Sequence, residues 1–287
     1  MILLFGSAGY IGGKFRTWLE ASRIPHVCVN RKDVDLNRPG SLRSLIQRKA
    51  VQLLINCAGY TGKPNVDSCE DHKEECLFGN AILPGLIARE CREAGIDWGH
   101  VSSGCIFTGN NEGRGFGETD QPNFDFRHDN CSWYSGTKAL GEEILAAETN
   151  CYIWRIRIPF EEENNPRNYL GKLCRYPRLL DAENSLTHLG EFVREALDMV
   201  QRKVPKGVYN MTQPGSITTR EIVNLMATAG ILRHQPVFFQ NEEEFMRQAA
   251  RTPRSNCVLS VEKAIGAGCR LTSIRDKVRE VCGEWKP

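Results

Sequence analysis

Tyr134 and Lys138, a phenol and an ammonium four residues apart, form the pair in this sequence best suited to moving a proton. That spacing sets both side chains on one face of a helix. A free phenol titrates near 10, so a Tyr that trades a proton at neutral pH needs a cation beside it, and Lys138 stands where that cation belongs. Taken alone, Tyr-x-x-x-Lys is most often an ordinary exposed helix face. Two other features narrow the reading. Ser102 and Ser103 close an apolar run upstream, and Gly6, Gly9 and Gly12 form G-S-A-G-Y-I-G directly after the apolar run Ile2–Phe5. Glycines in this position permit a tight turn and let a pyrophosphate approach the N-terminus of the next helix, which points to dinucleotide binding.

The cofactor side of the site is expected at Gly6, Ala8, Gly9, Tyr10, Ile11 and Gly12. Its far end should lie after the second strand, where an acidic residue pairs with a ribose hydroxyl and an Arg accommodates a phosphate. Here the run ends in Asn30, Arg31 and Lys32. Two adjacent cations favour NADP(H), although Asp33 follows, a solvated charged turn explains the cations almost as well, and NADH stays open. Asp35 and Leu36 would line the adenine side. The third run ends in Cys57, Ala58, Gly59 and Tyr60, where small residues would let the backbone pass close to the dinucleotide.

The rest of the chain describes a scaffold for these groups. Apolar runs at Ile2–Phe5, 27–30, Leu53–Asn56, 98–102 and 151–158 alternate with helix-like segments at 11–22, Ser41–Arg48, 80–94 and 132–147. Alternation of this kind predicts an α/β fold, a Rossmann-type doubly wound parallel sheet with helices on both faces. The polar stretch 161–167, with Asn164, Asn165 and Pro166, marks a boundary. A helix at 189–202 and a strand at 208–212 return to the sheet. The expected division is 1–158 with 183–212 for the cofactor, and 159–182 with 213–287 as a smaller, discontinuous C-terminal substrate domain.

Composition removes other classes. The chain has 287 residues, 41% hydrophobic and 25% charged, as expected for a globular protein and not for a disordered one. Its 37 Lys and Arg against 35 Asp and Glu leave a formal +2, which implies no nucleic-acid partner. No apolar stretch is long enough for a membrane span. The 12 Cys contain no C-x-x-C and follow no signal peptide, so they read as reduced thiols in a cytoplasmic protein. The 6 His show no H-E-x-x-H or paired spacing, and no metal is expected.

The glycine turn, the Ser and the Tyr-x-x-x-Lys pair together resemble the extended short-chain dehydrogenase/reductases. Longer blocks narrow the resemblance: 56–73 (N-C-A-G-Y-T-G-K-P-N-V-D-S-C-E-D-H-K), 104–107 (G-C-I-F), 134–143, 155–159 (R-I-R-I-P), 164–168 (N-N-P-R-N) and 253–256 (P-R-S-N). From end to end these look like the bifunctional nucleotide-rhamnose synthase/epimerase-reductases, relatives of dTDP-4-dehydrorhamnose reductase. Such enzymes epimerise carbons 3 and 5 of a UDP- or dTDP-linked 4-keto-6-deoxyglucose and reduce its ketone with NADPH.

The resemblance implies roles residue by residue. Ser103, Tyr134 and Lys138 would form the reductase set, assisted by Asn80. Tyr134 would supply the proton, Lys138 would lower the phenol's pKa and hold the nicotinamide ribose, and Ser103 would polarise the carbonyl. Cys105 and Lys172 match the family's epimerase pair. A strand would put Cys105 on the same side as Ser103, and nearby cations would make its thiolate a base. Lys63, Asn65, Asn165, Arg167, Arg254 and Asn256 lie in family-like loops suited to the sugar or diphosphate, alongside Ser103. The sequence departs from the pattern at Ser103, often Thr in relatives, and at 125–132, longer than usual. Relatives are often fused to a 4,6-dehydratase, so a separate dehydratase is the expected upstream partner. A 4-ketoreductase without epimerase activity and a non-catalytic NADP-binding regulatory subunit are the alternatives. The oligomeric state is left open, a homodimer included.

Overall fold

Short apolar runs separated by glycine turns favour parallel strands buried on both faces. In the computed structural model, which describes residues 1–232 and 234–287, they build one six-stranded sheet. Its first strands are β1 (Ile2–Phe5), β2 (His26–Val29), β3 (Leu53–Asn56), β4 (Asp97–Ser103) and β5 (Cys151–Ile156). Four two-residue strands follow, β6 (Pro159–Phe160), β7 (Arg178–Leu179), β8 (Glu183–Asn184) and β9 (Thr187–His188), before β10 (Gly207–Asn210) rejoins the sheet. The order is β10-β5-β4-β3-β1-β2, and every pairing is parallel.

Helices cover both faces. On one side α1 (Tyr10–Ala21) and α7 (Leu189–Gln201) pack Phe15, Leu19, Phe192 and Val193 against Leu4, Ile55 and Trp154. On the other, α2 (Ser41–Arg48), α4 (Leu83–Ala94) and α5 (Trp133–Leu145) pack Leu42, Ile46, Ile87 and Leu145 against Leu3, Phe5, Leu54 and Ile153. The sheet is therefore doubly wound, as the alternation of elements predicts.

Several boundaries differ from the sequence expectation. The fifth strand stops at Ile156, because Ile158 takes a φ of 37° and Pro159 follows, turning the chain out of the sheet. The helix expected over 80–94 begins earlier, as α3 (Lys73–Leu77), and reaches α4 through a π-helical turn, Phe78–Ile82. Such a turn adds a residue to the helical repeat and is often found at functional sites.

A third apolar cluster joins Phe160, Leu170, Leu179, Ile217, Ile222, Met226, Ile274 and Val278. It draws on α6 (Tyr169–Arg175), α8 (Thr219–Thr228) and α11 (Ile274–Gly283). Not all of 213–287 packs there. Ala264 and Cys269 belong to the cluster of α1 and α7, while Cys257 and Leu259 pack with Cys105, Ile106, Phe107 and Phe116. The chain thus returns to lie beside the segment that follows β4.

Glu162 and His188 link the segment after β5 to the start of α7. The backbone N–H of Glu191 donates to His188 Nδ1 at 3.3 Å, so the proton on Nε2 faces Glu162 Oε1 at 2.8 Å. This hydrogen bond, opposed by burial and helped by charge, holds the Glu162 carboxyl down at about 2. A depressed carboxyl contributes stability that is complete above its unfolded value and lost as pH falls through the folded one. Between pH 6 and pH 3, Glu162→Gln should lose about 1–2 kcal/mol less stability than the native chain, after allowance for partial exposure. Urea midpoints at the two pH values measure this, and equal losses would show that the pair does not contribute.

Candidate active site

In a doubly wound sheet the crevice lies beyond the carboxyl ends of the strands where the strand order reverses, here β1 and β3. The turns after these strands touch. Gly6 has a φ of 86°, and a Cβ there would lie 2.7 Å from Ala58 N. At Gly12 a Cβ would lie 2.2 Å from Gly6 O. Helix α1 starts at this turn with no side-chain cap and no acidic residue in its first turn, leaving its backbone N–H groups and positive dipole end to an anion. The glycine cradle and the open helix end fit a dinucleotide pyrophosphate.

Beyond β2, Asp33 Oδ2 accepts from Asn30 N at 2.7 Å, so Asp33 closes its own turn while Arg31 and Lys32 stay exposed. Asp35 likewise accepts from Asn37 N at 3.0 Å. Leu36, expected to line the adenine side, is buried in the cluster under α2, where its apolar side chain escapes water. Cys57 and Ala58 follow β3, and the Ala58 N–H donates to Asn56 Oδ1 at 3.0 Å. Burial pushes the Cys57 thiol up, which suits a packing role.

Ser103 is the last residue of β4 and Tyr134 and Lys138 lie on α5, whose first turn is capped by Ser132 Oγ accepting from Ser135 N. Burial pushes the phenol of Tyr134 well above its ordinary value, against a smaller pull downward from Ser103. The phenol is thus raised, not lowered as the pairing with Lys138 led one to expect, because burial outweighs its neighbours. Lys138 is 6% exposed. Burial pulls its ammonium down, opposed by Cys105, Glu142 and Cys76.

Asn80 sits in the π-helical turn, and its amide spans the backbone of Tyr60. Nδ2 donates to Tyr60 O at 2.9 Å and Oδ1 accepts from Tyr60 N at 2.9 Å. A Cβ at Gly59 would lie 3.2 Å from Asn80 Oδ1 and 3.4 Å from Lys138 Nζ, so Gly59, Asn80 and Lys138 converge. At Gly141 a Cβ would meet Asn80 O at 2.1 Å, which is why α5 can approach the π-helical turn so closely.

Cys105 lies in the same pocket, though not on the strand. It occupies a 3-10 turn, Gly104–Ile106, whose cap is Ser103, with Ser103 Oγ accepting from Cys105 N at 3.2 Å. The alternation expected for a strand therefore does not apply, and the cap brings the two together. Burial pushes the Cys105 thiol up, while Ser103, Arg157, Ser135 and Lys138 pull it down. Lys172 lies on α6, its ammonium pulled down by burial and by Arg167 and Arg175.

The outer candidates divide. Arg167 joins the N-N-P-R-N loop to the segment after β3, donating to Thr61 Oγ1 at 2.7 Å and Gly62 O at 3.3 Å. Lys63 is exposed beside it. Asn65 accepts from Asp67 N at 2.8 Å, Asn165 from Arg167 N at 2.9 Å, and Asn256 from Asn184 Nδ2 at 3.2 Å. Arg254, expected to grip a phosphate with its fork, grips Asp67 instead, with both N···O distances at 2.7 Å. The nearer carboxylate matches the same planar geometry.

Sequence reasoning missed the group behind the site. Glu142, one turn after Lys138, accepts from Ser102 Oγ at 2.5 Å and from Arg155 at 2.9 Å (Nε) and 2.7 Å (NH2). Arg155 in the apolar run Y-I-W-R-I was the available signal, since a cation on a central strand needs a buried partner. Removing one member of a buried pair strands the other, so Glu142→Gln should cost about 3 kcal/mol. Glu143→Gln, which loses only an exposed pair with Arg127, should leave the urea midpoint unchanged. Equal effects from the two neighbours would contradict the buried network.

With the geometry in hand, similarity to known proteins adds a family. The chain is 32% identical over 282 residues to an Arabidopsis thaliana trifunctional UDP-glucose 4,6-dehydratase/UDP-4-keto-6-deoxy-D-glucose 3,5-epimerase/UDP-4-keto-L-rhamnose-reductase, covering 96% of this chain but 40% of that protein. It is 35% identical over 229 residues to the Arabidopsis thaliana bifunctional dTDP-4-dehydrorhamnose 3,5-epimerase/dTDP-4-dehydrorhamnose reductase, covering 78% and 73%. The crystal structure of a UDP-rhamnose synthase from Acanthamoeba polyphaga mimivirus superposes with a TM-score of 0.89 at 26% identity, over 99% of this chain and 98% of that one. The family model described as the RmlD substrate binding domain matches residues 1–286, and the chain belongs to that family.

Proposed function

We propose that this protein is an NADPH-dependent 4-ketoreductase of a nucleotide-linked 4-keto-6-deoxy sugar, and that it also epimerises carbons 3 and 5 before reduction. The observation that carries the reading is the convergence of Ser103, Tyr134, Lys138 and Cys105 beside the crevice of β1 and β3. Exposed Arg31 and Lys32, with Asp33 turned back on its own loop, support NADPH over NADH. The names of the relatives support a UDP- or dTDP-sugar as substrate and rhamnose synthesis as the setting.

The chain's own groups suffice for the proton chemistry. Ser103 orients the ketone through its hydroxyl, and Tyr134 releases its O–H proton to the carbonyl oxygen. Lys138 stabilises the phenolate that this leaves. Bound NADPH supplies the hydride that reaches the carbonyl carbon. For epimerisation, the Cys105 thiolate takes the proton from a carbon next to the ketone, and Lys172 returns one from the other face.

The chain spans about 40% of the length of the trifunctional relative it matches, and a 4,6-dehydratase activity of the kind that relative's name includes would supply the 4-keto sugar. Twelve free thiols suit a reducing cytoplasm. Among the described residues no helix is long and apolar enough to cross a membrane. Reduction without epimerisation is the competing reading, favoured by the burial that pushes the Cys105 thiol up.

Incubation with UDP- and dTDP-4-keto-6-deoxyglucose and NADPH in deuterated water separates the two. Deuterium at carbons 3 and 5 is expected, and its absence from a reduced product would leave a ketoreductase alone. Tyr134→Phe should slow NADPH oxidation by about 10²- to 10³-fold while NADPH still binds. Cys105→Ala should keep cofactor binding and lose deuterium incorporation.

A further inference from the structure

The two arginines of R-I-R meet different fates. Arg155 is forked onto Glu142, whereas Arg157, 7% exposed, has no carboxylate partner among the described residues. Its NH2 donates to Asn184 Oδ1 at 2.7 Å and to the carbonyl of Ser255, and its buried Nε has no partner. A buried guanidinium with only neutral acceptors is costly and is stabilised by any anion placed near it.

The surroundings indicate where that anion is. Ser255, which Arg157 binds, donates from Oγ to Phe107 O at 2.6 Å, and Cys257 Sγ donates to Gly104 O at 3.2 Å. Asn184 accepts both Arg157 and the Cys257 N–H, at 3.0 Å for the latter. The guanidinium is thus bolted to the segment that lies along the turn carrying Cys105. Around Cys105, Ser103 from β4 accepts its N–H, Tyr134 and Ala139 from α5 and Cys257 share its apolar cluster, and its thiol feels Ser103, Ser135 and Lys138 as well as Arg157, with the thiols of Cys69 and Cys131 close enough to feel Cys105 in turn. Two of these groups, Arg157 and Lys138, are cations.

We propose that Arg157 is a positioning residue for epimerisation: its guanidinium is the fixed counter-charge that makes the thiolate of Cys105 available as a base. This rests on the epimerase reading given above. Arg157 also pulls the thiol down against the burial that raises it, in the direction the role requires.

The test is the pH dependence of Cys105 alkylation by iodoacetamide, followed by peptide mass spectrometry so that the other cysteines do not interfere, with deuterium wash-in at carbons 3 and 5 measured beside it. Arg157→Gln should move the Cys105 profile toward alkaline pH and slow both alkylation and wash-in at pH 7 by about tenfold for each unit moved. Arg157→Lys should restore most of the loss. Asn184→Asp gives a reading that does not depend on truncating Arg157, because it places a carboxylate on the same guanidinium, and it should also move the profile toward alkaline pH.

Unchanged alkylation profiles in Arg157→Gln and Asn184→Asp would overturn the proposal. So would a raised KM for the nucleotide sugar with an unmoved profile, which would make Arg157 a substrate contact. A native enzyme whose Cys105 profile responds to Arg157 but which incorporates no deuterium would instead defeat the epimerase reading and leave the electrostatic role standing.

Discussion

The site depends on keeping an ammonium charged while nearly all water is removed from it. Burial works against Lys138, and Cys105, Glu142 and Cys76 counter it. Glu142, one turn along α5, supplies negative charge, held in place by Ser102 and Arg155. Gly59 leaves room for Nζ, and Asn80 fixes the strand-to-helix connection on the other side. His100, fully buried nearby, is driven neutral by burial and by Lys138 itself, and its Nδ1 lies 3.0 Å from the Asn56 amide. The sheet, the π-helical turn and the Gly141 contact can all be understood as the means of bringing these groups within reach of one nitrogen.

Much of this was legible in the sequence, for reasons that can be stated residue by residue. The parallel sheet follows from apolar runs with no polar alternation, and the crevice follows from glycines that no other residue could replace at Gly6 and Gly12. The start of α5 near 132 was legible because Ser132 caps it and a cap is a local interaction. Long-range features were opaque. Nothing near Arg254 shows that Asp67 will fill its fork, since the two are 187 residues apart. The early start of α3 was hidden by Gly79 and by the π-helical turn, which breaks the repeat on which a periodicity argument rests. Cys105 was placed beside Ser103 for the wrong local reason, a strand where the chain makes a capped turn.

The loops around the crevice are held by ion pairs between distant parts of the chain. Arg251 and Arg254 reach Asp71 and Asp67, and Arg167 reaches Thr61 and Gly62. All of these partners fall within 61–71, the stretch that leaves β3. That stretch therefore borders the cofactor crevice and also anchors the segments expected to hold the sugar. Several of these polar contacts are partly exposed and therefore sensitive to salt.

Gly59 has a consequence for how this fold can vary. Its missing side chain faces Asn80 and Lys138, and a methyl group there would lie 3.2 Å from Asn80 Oδ1, a tight contact that the amide bridging Tyr60 would have to absorb. Under the proposed reading, changes aimed at a different sugar would fall at the rim, where Lys63 and most of 126–130 are exposed, while the groups that move the proton stay as they are.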